Sequence, residues 1–140
     1  RARAQPGQHR GRLMKLPAAR FAGSLGEEYL RAIAPITPED FTVRKAPRLL
    51  SAVWGRTTGA MTLGSTVFVD PAVIERGGGS LVTLLKHELV HARQWRDLGV
   101  VGFLLRYARQ YAVARLTGST HRQAYLAIDL EVEARESRSV

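Results

Sequence analysis

Residues 84–94 read Leu-Leu-Lys-His-Glu-Leu-Val-His-Ala-Arg-Gln, a His-Glu-x-x-His pattern inside an apolar, helix-favouring run. No other stretch constrains the fold as tightly. At about 3.6 residues per turn, His87 and His91 stand on one face of a helix, one turn apart, and their imidazoles can converge on one metal ion. Glu88 lies to the side, within reach of a water on that ion. The flanks support a helix: Gly77-Gly78-Gly79 breaks the chain, Ser80 is a good N-cap, and residues 81–98 contain neither Pro nor Gly. Ser80, Thr83, Leu84, His91 and Gln94 share the side of His87, whereas Lys86, Arg93 and Arg96 point largely away. The bland reading is two ordinary helical histidines, one buried and one solvated; the embedded glutamate weighs against it.

Two histidines leave a tetrahedral zinc half-ligated, so another segment must supply the third ligand. The chain has no cysteine, which excludes thiolate sites and disulfides and leaves His and carboxylate as the strong donors. Thr120-His121-Arg122-Gln123 reads as a capping box opening a helix to about Arg135. On that helix Asp129, Glu133 and Glu136 gather with Arg122 on the solvated face. Glu131 lies nearly opposite, in a stripe with Ala124, Ala127, Ile128 and Ala134. A lone carboxylate in such a stripe is costly to bury unless it is paired or bound to a cation. Glu131 is therefore the expected third ligand, and the competing fate is a salt bridge to Arg106 or Arg109.

The 140 residues amount to one domain, with residues 1–20 as a flexible basic arm and 21–140 as the folded part. The arm holds six basic residues, no acidic ones and a solvated His9. Ser24-Leu25-Gly26-Glu27 reads as a capping box for a short helix that Pro35 ends, and Thr37-Pro38-Glu39-Asp40 as a turn. Residues 41–45 can form a strand, while 48–54 suit strand or helix. Residues 56–63 and 66–70 flank Gly64-Ser65 as a hairpin, and Pro71 opens a short helical turn. A sheet edge beside the His-Glu-x-x-His helix could take an extended peptide as a further strand. Residues 98–116 are strongly apolar, but Arg106, Arg109 and Arg115 break them up too much for a membrane span. A core helix is expected there, the other readings being a segment resting on a membrane and a lid over the site.

The net charge of +9 fits a surface for anionic membrane or an acidic protein partner, and equally an arginine-rich composition inherited from a GC-rich genome. There is no helix-turn-helix signature, aromatic–basic strand or zinc-finger spacing, so nucleic acid is not an expected partner. The composition is that of a soluble protein, with the cytoplasm slightly favoured; the opening Arg1 is also compatible with a removed signal peptide.

His87-Glu88-x-x-His91 followed by Glu131-Val132-Glu133-Ala134 resembles the Glu-zincin metallopeptidases. In several of those families the third ligand opens a Glu-x-x-Ala sequence on a later helix, a pattern that Glu131 and Ala134 match. Many continue with Asp, where this chain has Arg135, so the carboxylate that usually stands behind the ligands is unassigned. His-Glu-Leu-Val-His-Ala-Arg-Gln also resembles small bacterial metallopeptidase domains, some encoded near contractile injection systems, in which a β-hairpin precedes the zinc helix. The resemblance spans roughly residues 41–136. It implies an α+β zincin-like half-domain: a small antiparallel sheet or hairpin packed on the active-site helix, followed by two further helices.

The expected activity is zinc-dependent hydrolysis of a peptide or protein substrate. His87, His91 and Glu131 would bind Zn²⁺ and leave one position for a water whose pKa falls to about 7. Glu88 would be the general base. One of His121, Tyr107, Tyr111 and Tyr125 would stabilise the oxyanion, and Gln94 would support the ligands. The alternative is a catalytically silent zincin-fold module that binds a protein partner or an anionic membrane surface, because a chain this short lacks an obvious second subdomain to wall a cleft.

Overall fold

The computed structural model describes residues 15–54 and 59–139. The hairpin joins β3 (Ala60–Leu63) to β4 (Thr66–Val69) in antiparallel register, Thr62 opposite Val67. Gly64 occupies the first turn position at φ 60°, the left-handed value that two-residue hairpin loops demand and that glycine adopts without strain. Residues 55–58, the start of the expected first hairpin strand, lie outside the described residues.

Two more strands complete the sheet, β1 (Lys15–Pro17) and β2 (Thr42–Lys45), in the order β1-β2-β4-β3. β2 runs parallel to β4, so the sheet is mixed and the expected antiparallel sheet is corrected. The parallel pairing is reached through α3 (Arg48–Trp54), which settles as helix the stretch that the sequence left open. The end of the expected flexible arm is also folded: β1 pairs with β2 and Ala18 is buried. Residues 1–14, with His9, lie outside the described residues. Ser24 caps nothing. It sits inside α1 (Ala22–Leu25), and Gly26 stands between it and α2 (Glu27–Ala32). Thr37–Asp40 forms the expected turn, and its Asp40 carboxylate accepts from the Thr37 amide at 2.8 Å, a reciprocal cap that the sequence reading did not name.

After α4 (Pro71–Arg76), α5 (Gly78–Leu116) carries the His-Glu-x-x-His pattern. It begins before Ser80, whose hydroxyl donates to the Gly77 carbonyl. Leu81, Leu85, Leu89, Val90 and Ala92 bury one face of α5 against Val43, Val67 and Val69 of the sheet and Tyr29 of α2. The Tyr29 hydroxyl donates to the Lys86 carbonyl at 2.6 Å, so this buried aromatic keeps its polar end satisfied.

Gly99 breaks α5. At φ 67° and ψ 171° it adopts a conformation essentially closed to residues with a Cβ, and residues 100–116 leave in a new direction. That second half is not a core helix. Only Phe103 is buried, while Val101, Leu105 and Leu116 are largely exposed. Apolar content alone had pointed inward, but the segments that follow are too short to cover it. They are α6 (His121–Leu126), with the expected Thr120–Gln123 capping box, and α7 (Asp129–Glu136). The single helix expected over this region is split at Ile128, which is extended (ψ 125°) and fully buried. Gln110 of α5 accepts from the Asp129 amide at 2.8 Å and so caps the new helix from outside. Three α-helical pieces and a closing 3-10 turn (Ser137–Ser139) thus follow the first half of α5 among the described residues, where two helices were expected. Among the described residues, no helix is long and apolar enough to cross a membrane.

Gly99→Ala should destabilise the protein by about 1–3 kcal/mol through backbone strain, since nothing lies within 4 Å of an added Cβ. Gly102→Ala, three residues on in ordinary helix, should stabilise by about 0.5–1 kcal/mol. Urea unfolding of the two variants checks the opposite signs; equal effects would mean that the break is not held by the backbone of Gly99.

Candidate metal centre

The first half of α5 lies between the sheet and α7, and the face turned toward α7 carries His87 and His91. Small residues let α7 come close: Ala134, three residues after Glu131, is fully buried, as is Ala124 of α6. Ala127 is exposed, which takes it out of the expected alanine stripe. Glu131 enters with 4% of its surface exposed.

Three donor groups meet there. The two Nε2 atoms are 3.1 Å apart, His87 Nε2 lies 3.3 Å from Glu131 Oε2, and His91 Nε2 lies 3.5 Å from Glu131 Oε1. All three residues are buried, and they form a group able to hold a metal ion. Donors around a tetrahedral ion with arms of about 2.0–2.1 Å stand about 3.3–3.4 Å apart, and the two imidazoles approach each other and Glu131, one carboxylate oxygen to each ring, at about that spacing. The expected third ligand is thus brought to the histidines. The competing salt bridge does not form, because Arg106 is turned to Asp129, its Nε 3.0 Å from the carboxylate.

Burial alone would raise the Glu131 carboxyl. The hydrogen bonds from His87 and His91, with that from Tyr125, outweigh it and hold the group well below the usual carboxylate range. His91 is desolvated, which lowers it, but Glu131 and Glu88 more than compensate and its basicity is raised. Tyr125 donates to Glu131 Oε2 at 2.9 Å and Tyr107 to Oε1 at 3.2 Å. Burial first, and then the Glu131 charge, push both phenols upward, so both keep their protons and remain donors. Of the four candidate oxyanion donors, these two lie beside the ligands. Tyr111 and His121 bond to each other at 2.8 Å, with His121 on the cleft rim.

Gln94 does stand behind His91. His91 Nδ1–H donates to Gln94 Oε1 at 2.8 Å, while Gln94 Nε2 donates to the Leu130 carbonyl at 3.0 Å and to Glu133 Oε2 at 2.8 Å. With Nε2 facing two acceptors the amide has one consistent orientation, which puts a proton on His91 Nδ1 and leaves Nε2 as the ring atom that faces Glu131 and the site. Arg93 in turn pairs with the other oxygen of Glu133. Glu133 and Asp129, read as members of a solvated acidic face, are therefore both engaged in tertiary contacts.

Thr62 and Arg138 escaped the sequence reading. Glu88 is buried on the sheet side, where the Thr62 hydroxyl of β3 contacts its Oε2 at 2.7 Å. Burial raises the Glu88 carboxyl, and His91, Thr62 and His87 oppose the rise. The one sequence signal for Thr62 was its phase: it alternates with Ala60 on the inward face of β3. Arg138 had none. Its guanidinium donates to His87 Nδ1 at 2.9 Å, which places the His87 proton on Nε2, the atom facing Glu131. A cation at that atom requires the proton to leave, so Arg138 opposes metal loading where Gln94 favours it.

A cleft of about 950 Å³ opens onto the three donors and Glu88. One wall is an aromatic ladder, with Trp95 stacked on Phe103 at 4.3 Å and Phe103 followed by Tyr107 at 5.9 Å. The other includes Met61, Thr62 and Leu63 of β3, the edge strand of the sheet. Comparison of the chain with protein-family models, curated proteins and solved structures finds no match in any of the three.

Metal competition against a chelator checks this arrangement. Glu131→Ala should abolish tight binding, and Gln94→Ala should weaken it about 10–100-fold by freeing the His91 ring. Arg138→Ala should bind at least as tightly as the native chain; weaker binding would show that the guanidinium supports the site.

Proposed function

We propose that this protein is a zinc metallopeptidase, hydrolysing peptide bonds in the cleft between α5 and β3. The observation that carries the reading is the position of Glu88: a buried carboxylate adjacent in sequence to a ligand histidine, held by Thr62 on the side away from Glu131, and facing the same cleft as the three donors. His87, His91 and Glu131 would hold the ion, and the donor set of two imidazoles and one carboxylate suits zinc. When bound, zinc supplies Lewis-acid activation of water and of the scissile carbonyl.

The chain's own residues do the rest. Glu88, raised by burial, has the affinity to accept a proton from the attacking water and to pass it to the leaving amine. The Thr62 hydroxyl lies 2.7 Å from Glu88 Oε2 and 3.0 Å from the Glu88 carbonyl and so holds that carboxylate oxygen in place, while Oε1 would carry the transfer. Tyr107 and Tyr125 keep their protons and give them to Glu131 in hydrogen bonds, so either would meet negative charge developing on a carbonyl oxygen by turning its hydroxyl from Glu131 to that oxygen. The exposed edge of β3 offers backbone groups to an extended polypeptide, while the Trp95–Phe103–Tyr107 wall accepts apolar side chains.

Glu88→Gln should retain the metal and lose about three or more orders of magnitude in kcat, because the amide cannot accept the proton. Stoichiometric zinc in a native chain that cleaves no unfolded polypeptide would instead support the silent module. Thr62→Val should leave metal content unchanged and lift the Glu88 carboxyl further. Since the base works only when ionised, activity lost as the pH falls would then be lost at a higher pH than in the native chain. A pH–rate profile of the two proteins reads this shift.

A further inference from the structure

The second half of α5 presents its large aliphatic side chains to water. At about 100° per residue, Leu104, Val101, Leu105 and Leu116 fall on one arc of about 120°, with Ala108 and Ala112 between them. All six are exposed, Val101 by 69%, Leu105 by 65% and Leu116 by 87%. The opposite arc is occupied: Phe103, Tyr107 and Tyr111 pack with Ile128 and Leu130. A contiguous apolar arc of this kind is rare on a protein surface that meets only water.

Charge names the occupant. Residues 98–128 contain four arginines and no Asp or Glu. Arg109 stands at the margin of the arc and Arg115 among its aliphatic residues, both exposed. Among the described residues neither has a carboxylate partner, whereas Arg106, on the packed side, is neutralised by Asp129. An aliphatic strip with unpaired arginines beside it and no acid to repel is complementary to a negatively charged plane with hydrocarbon beneath it. The arginine stems can lie along the apolar layer while their heads remain among the phosphates.

We propose that residues 100–116 dock this protein on the surface of an anionic lipid bilayer, the helix lying in the headgroup layer with Val101, Leu104, Leu105 and Leu116 turned toward the acyl chains. At about 1.5 Å per residue it covers about 25 Å of membrane plane, and it lies on the bilayer without crossing it. Leu104 belongs both to the arc and to the rim of the cleft, so docking sets the cleft mouth beside the lipid. That polypeptides at the membrane surface are the substrates rests on the peptidase reading; the docking does not.

The test is sedimentation of the full chain with phosphatidylcholine vesicles, made with and without phosphatidylglycerol. The native chain should partition onto the anionic vesicles and weaken as salt is added. Val101→Asp/Leu105→Asp should lower the partition coefficient at least about tenfold, and Arg109→Glu/Arg115→Glu likewise, with circular dichroism and thermal unfolding unchanged. Equal binding by the aspartate variant would overturn the proposal by assigning the attraction to other basic residues. So would a native chain that binds neither vesicle, or one that self-associates without lipid and becomes monomeric on the same substitutions, since a second copy would then cover the arc. None of these readouts involves turnover, so the docking and the peptidase reading fail separately.

Discussion

Two carboxylates, Glu88 on α5 and Glu131 on α7, are buried in one site, and the cost of taking them out of water, to which their mutual repulsion adds a small share, is the constraint that the surrounding structure answers. Burying one uncompensated anion is expensive, and burying two within one site is more so. The compensation is divided. Glu131 receives two imidazoles and two phenols and stays ionised, whereas Glu88 receives one hydroxyl and keeps a raised proton affinity. The same chemical group is thus given opposite electrostatic roles by its partners. A divalent cation among His87, His91 and Glu131 would lower the cost for both acids at once, and by tying α5 to α7 it would also contribute to folding.

The two backbone breaks serve that geometry. Without Gly99, α5 would run on straight, and the Phe103–Tyr107 face would not come back to the ligands. Without the extended Ile128, α6 and α7 would form one rod with no fresh N-terminus for Gln110 to cap. Each break lies a short distance in sequence from a group that it helps to position, Gly99 four residues before Phe103 and Ile128 three before Glu131.

These two breaks also mark how far the sequence could be read. The His87–His91 face was legible because it depends only on the local 3.6-residue period, and Glu131 because a lone acid among small apolar residues is anomalous wherever its helix packs. Gly99 carried a local signal, since it ends the run 81–98 that lacks Gly and Pro, although the sequence reading named no break there. Ile128 did not, because no Gly or Pro stands there and the cap comes from Gln110, 19 residues away across a tertiary contact. Residues 98–116 were misread for a related reason. Their composition says apolar, but whether an apolar face is covered depends on the length of its neighbours, and α6 and α7 have only six and eight residues. Thr62 and Arg138 reach the site from 26 and 51 residues away, where no local period can reveal them.

The departure at Arg135 fits the same account. The resembled Glu-x-x-Ala-Asp pattern would place a carboxylate one residue after Ala134, and this chain has an arginine whose guanidinium donates to the Leu126 carbonyl, tying α7 to α6. The groups that stand behind His91 in this chain come from elsewhere. Gln94 takes the His91 proton contact, and Glu133, anchored by Arg93, holds Gln94. A neutral amide is in contact with the ring, and the carboxylate charge stands one hydrogen bond further out, on Glu133. Orientation of His91 is preserved, since the amide is fixed by two acceptors behind it, while the direct electrostatic enhancement of ligand basicity is reduced. Together with Arg138 on the other histidine, this makes a centre whose ligands are well placed but less electron-rich than carboxylate-backed imidazoles would be.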